Sequence, residues 1–156
     1  MAGPNTKKPE NVHATALVVG ETGVLIVGGS GTGKSAIARD LIRTAGDAGR
    51  FAALVADDQV LLETYADRVI ASAPETIAGL VEIRGSVIAS VSHLPRAMVH
   101  LVISLDPSTD NPRLPDPEDQ YDLGIGVALP LLRFQPGGRN NPMDLLDAFE
   151  KHQLLS

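Results

Sequence analysis

A chain of 156 residues has room for one domain with a real hydrophobic core. Apolar residues make up 44% but aromatics only 3%, so that core must be built from Val, Leu, Ile and Ala. The absence of cysteine excludes a disulfide framework and any thiolate metal site, and a formal net charge of -6 argues against a broad nucleic-acid surface, which needs clustered Lys and Arg.

Residues 1–10 are polar and carry Pro4, Lys7, Lys8 and Pro9, without the apolar stretch of a signal peptide. They are expected to form a flexible tail, with a single domain over 11–156. No run approaches the roughly 20 apolar residues of a membrane span. The expected setting is therefore the cytoplasm, with neither membrane nor nucleic acid as a partner.

In chain order, Ala14 to Val19 and Val24 to Val27 read as a hairpin around Gly20-Glu21-Thr22-Gly23. The second strand points straight into a glycine-rich loop. Lys34 to Thr44 follows with Ile37, Leu41 and Ile42 at helical spacing, and Gly46 is placed to end the helix. Ala52 to Ala56 is a buried strand closed by Asp57-Asp58. Val60 to Glu63 and Arg68 to Ser72 predict a second hairpin about Tyr65-Ala66-Asp67. Leu80 to Ile83 and Val87 to Val91 are short strands, and Val99 to Leu105 reads as one central strand. Asp106 to Asp122, proline-rich and acidic, is a long loop. Val127 to Phe134 is a last strand, and Met143 to Gln153 a short amphipathic helix.

Gly28-Gly29-Ser30-Gly31-Thr32-Gly33-Lys34-Ser35 matches the G-x-x-x-x-G-K-[ST] pattern without a gap. Glycines let the backbone curl so that successive N–H groups point at one anion. Lys34 neutralises the outer phosphates, Ser35 offers a hydroxyl to Mg2+, and the helix that begins there adds its positive end. By average residue usage such a match arises by chance in on the order of one chain in a few hundred. The strand before it and the helix after it lower that further. The expected ligands are ATP and Mg2+.

A triphosphate site needs an acid to hold the metal, and transfer to a hydroxyl benefits from a base. Asp57 and Asp58 stand at the end of an apolar strand, where α/β sheets place ligand-binding groups. Because residues alternate across a strand, one of them can face the phosphates while the other turns away or binds metal. Spacing does not choose between them. Glu82, inside Leu80-Val81-Glu82-Ile83-Arg84-Gly85, is a metal ligand, half of a structural pair with Arg84, or simply an outward-facing residue of an alternating strand, and spacing does not choose among these. His13 opens the first strand, where a lone histidine is an ordinary surface residue. His93, His100 and His152 show no metal-ligand spacing.

Together these residues resemble the catalytic, C-terminal domain of the HPr kinase/phosphorylase family, over roughly His13 to Asn140. The likeness rests on His13-Ala14, on Gly23-Val24-Leu25-Ile26 leading into the phosphate loop, on Val55-Ala56-Asp57-Asp58 and on Val81-Glu82-Ile83-Arg84-Gly85. Gln135-Pro136-Gly137-Gly138-Arg139-Asn140 is a weaker match. The resemblance implies an α/β P-loop nucleotide-binding domain with a mixed sheet, related to phosphoenolpyruvate carboxykinase. It implies ATP-dependent phosphorylation of a serine on the phosphocarrier protein HPr, within a phosphotransferase system. A reverse activity is implied too, in which inorganic phosphate removes that group as pyrophosphate. By position His13 and Lys34 would be catalytic, the Asp57–Asp58 pair would supply the base, and Ser35, Glu82 and Asp57 would hold Mg2+. Arg113 is the nearest counterpart of the family arginine tied to dephosphorylation, and a hexamer is the implied assembly.

The chain departs from the family pattern at Gly29, where many members carry Asp, and at Ser86-Val87, where a second glycine is common. It resembles the short form associated with alphaproteobacteria, without the separate N-terminal domain. Two other functions fit a phosphate loop of this kind: a P-loop kinase of a small molecule, and a nucleotide-binding regulatory module without catalysis.

Overall fold

A computed structural model describes residues 9–74, 93–105, 120–123, 126–135 and 141–155. The described elements are β1 (Glu10–Val12), β2 (Ala14–Val19), β3 (Thr22–Val27), α1 (Lys34–Asp47), β4 (Ala52–Ala56), β5 (Val60–Tyr65), β6 (Arg68–Ser72), β7 (Arg96–Val99), β8 (Leu101–Ser104), β9 (Gln120–Asp122), β10 (Ala128–Arg133) and α2 (Pro142–Leu155). They build a six-stranded sheet in the order β4-β2-β3-β8-β10-β9 and a four-stranded sheet in the order β1-β5-β6-β7. The strands expected at 80–83 and 87–91 lie outside the described residues. No described helix is long and apolar enough to cross a membrane.

The larger sheet is mixed. β3 runs parallel to β8, and β8 to β10, whereas β2 is antiparallel to both of its neighbours. It is covered on both faces, which is why β2 is buried along its whole length and reads as an almost unbroken apolar run. Leu17, Val19, Val24, Ile26, Leu101 and Ile103 meet Ile37, Leu41 and Ala45 of α1 and Leu146 and Phe149 of α2. The alternate residues Ala14, Ala16, Val18, Leu25 and Val102 meet Val60, Leu62, Val69 and Ala71 of the smaller sheet. Each fully buried Leu or Ile contributes about 1.5–3 kcal/mol relative to exposure.

The helical periodicity of α1 holds, but Gly46 does not end it. The helix runs to Asp47, and Gly49 (φ 73°) supplies the left-handed turn. Arg50 N–H donates to Ala45 O at 2.8 Å and Gly49 N–H to Gly46 O at 3.0 Å, the pair of bonds that closes a Schellman end. Arg50 then reaches Asp147 (3.0 Å) and Glu150 (3.1 Å) of α2, and Glu150 also accepts from Thr22 Oγ1 at 3.0 Å.

Three further expectations need correction. Glu10, placed in the tail, belongs to β1 and pairs with Leu62 of β5. The end of the long acidic loop is a strand, since β9 pairs with β10 through Tyr121 and Leu129. The single central strand from Val99 to Leu105 is two strands in different sheets. β7 pairs with β6, β8 pairs with β3, and the chain steps across at His100.

That crossing is clamped by one glycine. His100 N–H donates to Gly23 O at 2.8 Å, and Gly23 N–H donates to His100 Nδ1 at 2.9 Å. Nδ1 can accept only while it carries no proton, so this bond belongs to one neutral tautomer. Burial lowers the His100 pKa below the ordinary histidine value of about 6.5. A depressed folded-state value means the unfolded chain binds the proton more tightly, so stability rises with pH. The contribution is full above about pH 6.5 and is lost as pH falls through the lower folded value. The urea midpoint of the wild type is therefore expected to drop between pH 7.5 and pH 5.5 more than that of His100→Asn, whose side-chain oxygen still accepts but does not titrate.

Candidate functional site

The chain directions bring the functional segments to one edge. β3 and β4 both run antiparallel to β2, so the loop after β3, the acids after β4 and the start of β2 share one end of the sheet. This is the carboxyl end of the parallel strands, where α/β sheets bind ligands.

The phosphate loop has the backbone its sequence calls for. Gly31 (φ 80°) and Gly33 (φ 100°) sit where a side chain is strained. Gly33 caps α1 with no side-chain bond, and the first turn holds no acid, so the amides of that turn are left to an anion. Thr32 Oγ1 donates to Gly29 O at 2.7 Å and closes the loop on itself. A Cβ on Gly28 would lie 2.7 Å from that same hydroxyl, whereas one on Gly29 would meet nothing nearer than 3.9 Å. Space therefore does not dictate the departure at Gly29.

Lys34 is buried, with only 6% of its surface exposed. Its ammonium donates to Gly28 O at 3.1 Å and Gly29 O at 3.0 Å. An ammonium has three donors, so one remains for a phosphate oxygen once the loop carbonyls have taken two.

The two acids part company. Asp57 Oδ1 accepts from Ser35 Oγ at 2.6 Å and from Thr15 Oγ1 at 2.9 Å. Asp58 adopts φ 73°, a left-handed conformation that Asp tolerates better than most residues, and its Oδ1 lies 2.7 Å from His13 Nε2. The side chains of His13 and Asp58 are 46% and 74% exposed.

A bulge decides this division. Along β2 and β4, Val19 pairs with Ala52, Val18 with Ala53 and Leu17 with Leu54, but Ala16 pairs with Ala56, leaving Val55 as an extra residue. Ala52 and Leu54 pack on the helix face, and Val55 and Ala56 then both pack on the opposite face. The extra residue shifts the alternation by one and turns Asp57 back to the helix face, over Ser35. Without it, Asp58 would take that position. Thr15, opposite Asp57, is on the helix face with Leu17 and Val19. Sequence reading missed this residue, although a lone hydroxyl in an otherwise apolar strand is a visible signal.

A hard divalent cation fits the donor set. Ser35 Oγ and the Asp57 carboxylate are oxygen donors held side by side, and Mg2+ is bound through one or two carboxylates, substrate phosphates and waters rather than a full protein cage. No group of three or more His, Cys, Asp or Glu gathers among the described residues. Glu82 and Arg113 lie outside the described residues. A separate cavity of about 700 Å³ opens at the opposite end of the sheet, beside Thr22, His100 and Glu150, remote from the phosphate loop.

Residues 5–130 match the HPr Serine kinase C-terminal domain family. The HPr kinase/phosphorylase of Geobacillus thermodenitrificans is 41% identical over 123 residues, 73% of this chain and 36% of that protein. That of Limosilactobacillus reuteri is 34% identical over 134 residues, 78% of this chain and 39% of the relative. The chain thus spans little more than a third of the length of these relatives. The solved structure of the HPr(Ser) kinase/phosphatase from Coxiella burnetii is 30% identical with a TM-score of 0.62, covering 93% of this chain and 91% of that one. The family match, the sequence identity and the structural likeness agree, and the chain belongs to the HPr serine kinase C-terminal domain family.

Proposed function

We propose that this chain is an ATP-dependent protein kinase that phosphorylates a serine of HPr, with Mg2+ held by Ser35 and Asp57. The observation that carries the reading is the split of the two acids. Asp57 serves the phosphate loop through Ser35, while Asp58 and His13 form an exposed pair beside it. A serine brought in by another protein must approach from solvent, and Asp58 is the acid open to it.

In this mechanism the loop amides and Lys34 hold the triphosphate and neutralise its charge. The serine oxygen forms a bond to the γ-phosphorus as the bond from that phosphorus to the β–γ bridging oxygen breaks, and ADP leaves. The serine proton passes to the Asp58 carboxylate, which His13 orients from its other side. Bound Mg2+ would supply charge neutralisation at the phosphates. Glu82, by its place in the family pattern, belongs to the same metal site. The reverse reaction would use these groups in the opposite sense, with inorganic phosphate as acceptor and pyrophosphate as product. It asks in addition for a cation such as Arg113. Hexameric assembly and a cytoplasmic setting with HPr follow from the same reading.

Labelled ATP, Mg2+ and HPr test it directly: label is expected on an HPr serine. Lys34→Ala is expected to lower nucleotide affinity by about 10- to 100-fold, as loss of charge-assisted hydrogen bonds does, and to leave no measurable transfer. Calorimetry showing no binding of ADP or ATP to the wild type overturns nucleotide binding itself. Tight binding without transfer to HPr removes the kinase assignment and favours a small-molecule kinase or a regulatory module.

A further inference from the structure

We propose that Thr15 is a positioning residue for phosphoryl transfer, its buried hydroxyl fixing the Asp57 carboxylate so that Asp57 in turn fixes the Ser35 hydroxyl; the proposal rests on the kinase reading above. Thr15 and Lys34 are the buried polar side chains of the described core, and Thr15 is 0% exposed. Its strand is otherwise apolar from Ala14 to Val19. Packing alone would be served by Val, and a hydroxyl taken out of water is costly unless its hydrogen bond is made. Here the bond is made to a single atom, Asp57 Oδ1.

That atom also accepts the hydrogen bond donated by Ser35 Oγ. A carboxylate oxygen has two lone-pair directions, and the two hydroxyls fill both. One donor stands at the start of α1, next to the phosphates. The other stands on β2, packed inside the larger sheet. The terminal torsion of an aspartate is broad, so a single bond to Ser35 would let carboxylate and hydroxyl swing together. Thr15 ties the pair to the sheet. With its hydrogen held on Asp57, Ser35 Oγ presents lone pairs, not a proton, to a cation. The bulge at Val55 is what brings Asp57 opposite Thr15, so strand register and the anchor act as one device.

The test compares Thr15→Val and Thr15→Ser for transfer to HPr across a Mg2+ titration, for affinity to metal-free ADP and to MgADP, and for Tm. Thr15→Val is expected to lower kcat by about 10-fold or more and to raise the Mg2+ concentration required, as loss of an outer-shell partner does. Metal-free ADP affinity should stay at the wild-type level, and Thr15→Ser should recover most of kcat. A purely structural residue would move Tm instead and leave the Mg2+ requirement alone. The proposal is overturned if Thr15→Val keeps the wild-type kcat and Mg2+ dependence, or if Thr15→Ser is as impaired as Thr15→Val. Should Thr15→Val not fold, Thr15→Ala replaces it, and wild-type behaviour there overturns the proposal equally. If wild-type protein labels no HPr, the kinase reading fails by itself. The gap between MgADP and metal-free ADP affinity, wild type against Thr15→Val, then still decides the role of Thr15.

Discussion

Asp58→Asn is expected to reduce serine phosphorylation by about 10²–10⁴-fold, the usual worth of a positioned general base, with nucleotide binding left intact. The amide keeps the shape of the side chain and its contact with His13, but it accepts no proton at neutral pH. Asp57→Asn should fail in a different way. Its carboxylate sits on the Ser35 hydroxyl at 2.6 Å, so its loss should weaken binding of the magnesium–nucleotide complex while sparing the metal-free nucleotide. Calorimetry with and without Mg2+, run beside single-turnover transfer, separates the two signatures. If Asp58→Asn keeps full turnover and Asp57→Asn loses it with metal binding unchanged, the roles assigned to the two acids are reversed.

The difference between these acids marks the boundary of what the sequence can say. The phosphate loop is legible because its chemistry is local: eight consecutive residues, a strand before and a helix after. The acids are legible as a pair for the same reason, standing at the end of an apolar run. Their division is not, because alternation along β4 would put Asp58, not Asp57, on the helix face. The extra residue at Val55 reverses that outcome, and a bulge is a property of two strands together. Thr15 is hidden for a related reason. In one dimension it is a β-branched residue in a strand, ordinary by propensity. It becomes part of a site only when the end of β4 lays Asp57, 42 residues further on, against it. The division of Val99 to Leu105 follows the same logic. Every residue but His100 and Ser104 in that run is apolar, and nothing local reports that its two halves pair in different sheets. Composition behaved differently: a core of Val, Leu, Ile and Ala follows from the scarcity of aromatics, and such a core is present on both faces of the larger sheet.

The partner of that crossing, Gly23, predicts the largest effect on folding. A Cβ built there would stand 1.7 Å from Met98 O and 2.8 Å from the carbon of that carbonyl. These are backbone atoms of β7 and cannot rotate away. Relief requires β7 to lift off β3, which would also pull His100 from its two bonds to Gly23. Gly23→Ala is therefore expected to cost about 4 kcal/mol or more, in the range reserved for mutations that break a core contact outright. For a chain of this size that corresponds to a fall in Tm of about 10 °C or more. The control is the same substitution at Gly46, which lies within α1 and whose added Cβ would meet nothing within 4 Å. There Ala has the better helix propensity, and Gly46→Ala should gain about 0.5–1 kcal/mol. Thermal melts of the two variants should thus move in opposite directions. A Gly23→Ala melt that matches the wild type would mean that the two sheets do not approach as closely as the Gly23–Met98 contact requires.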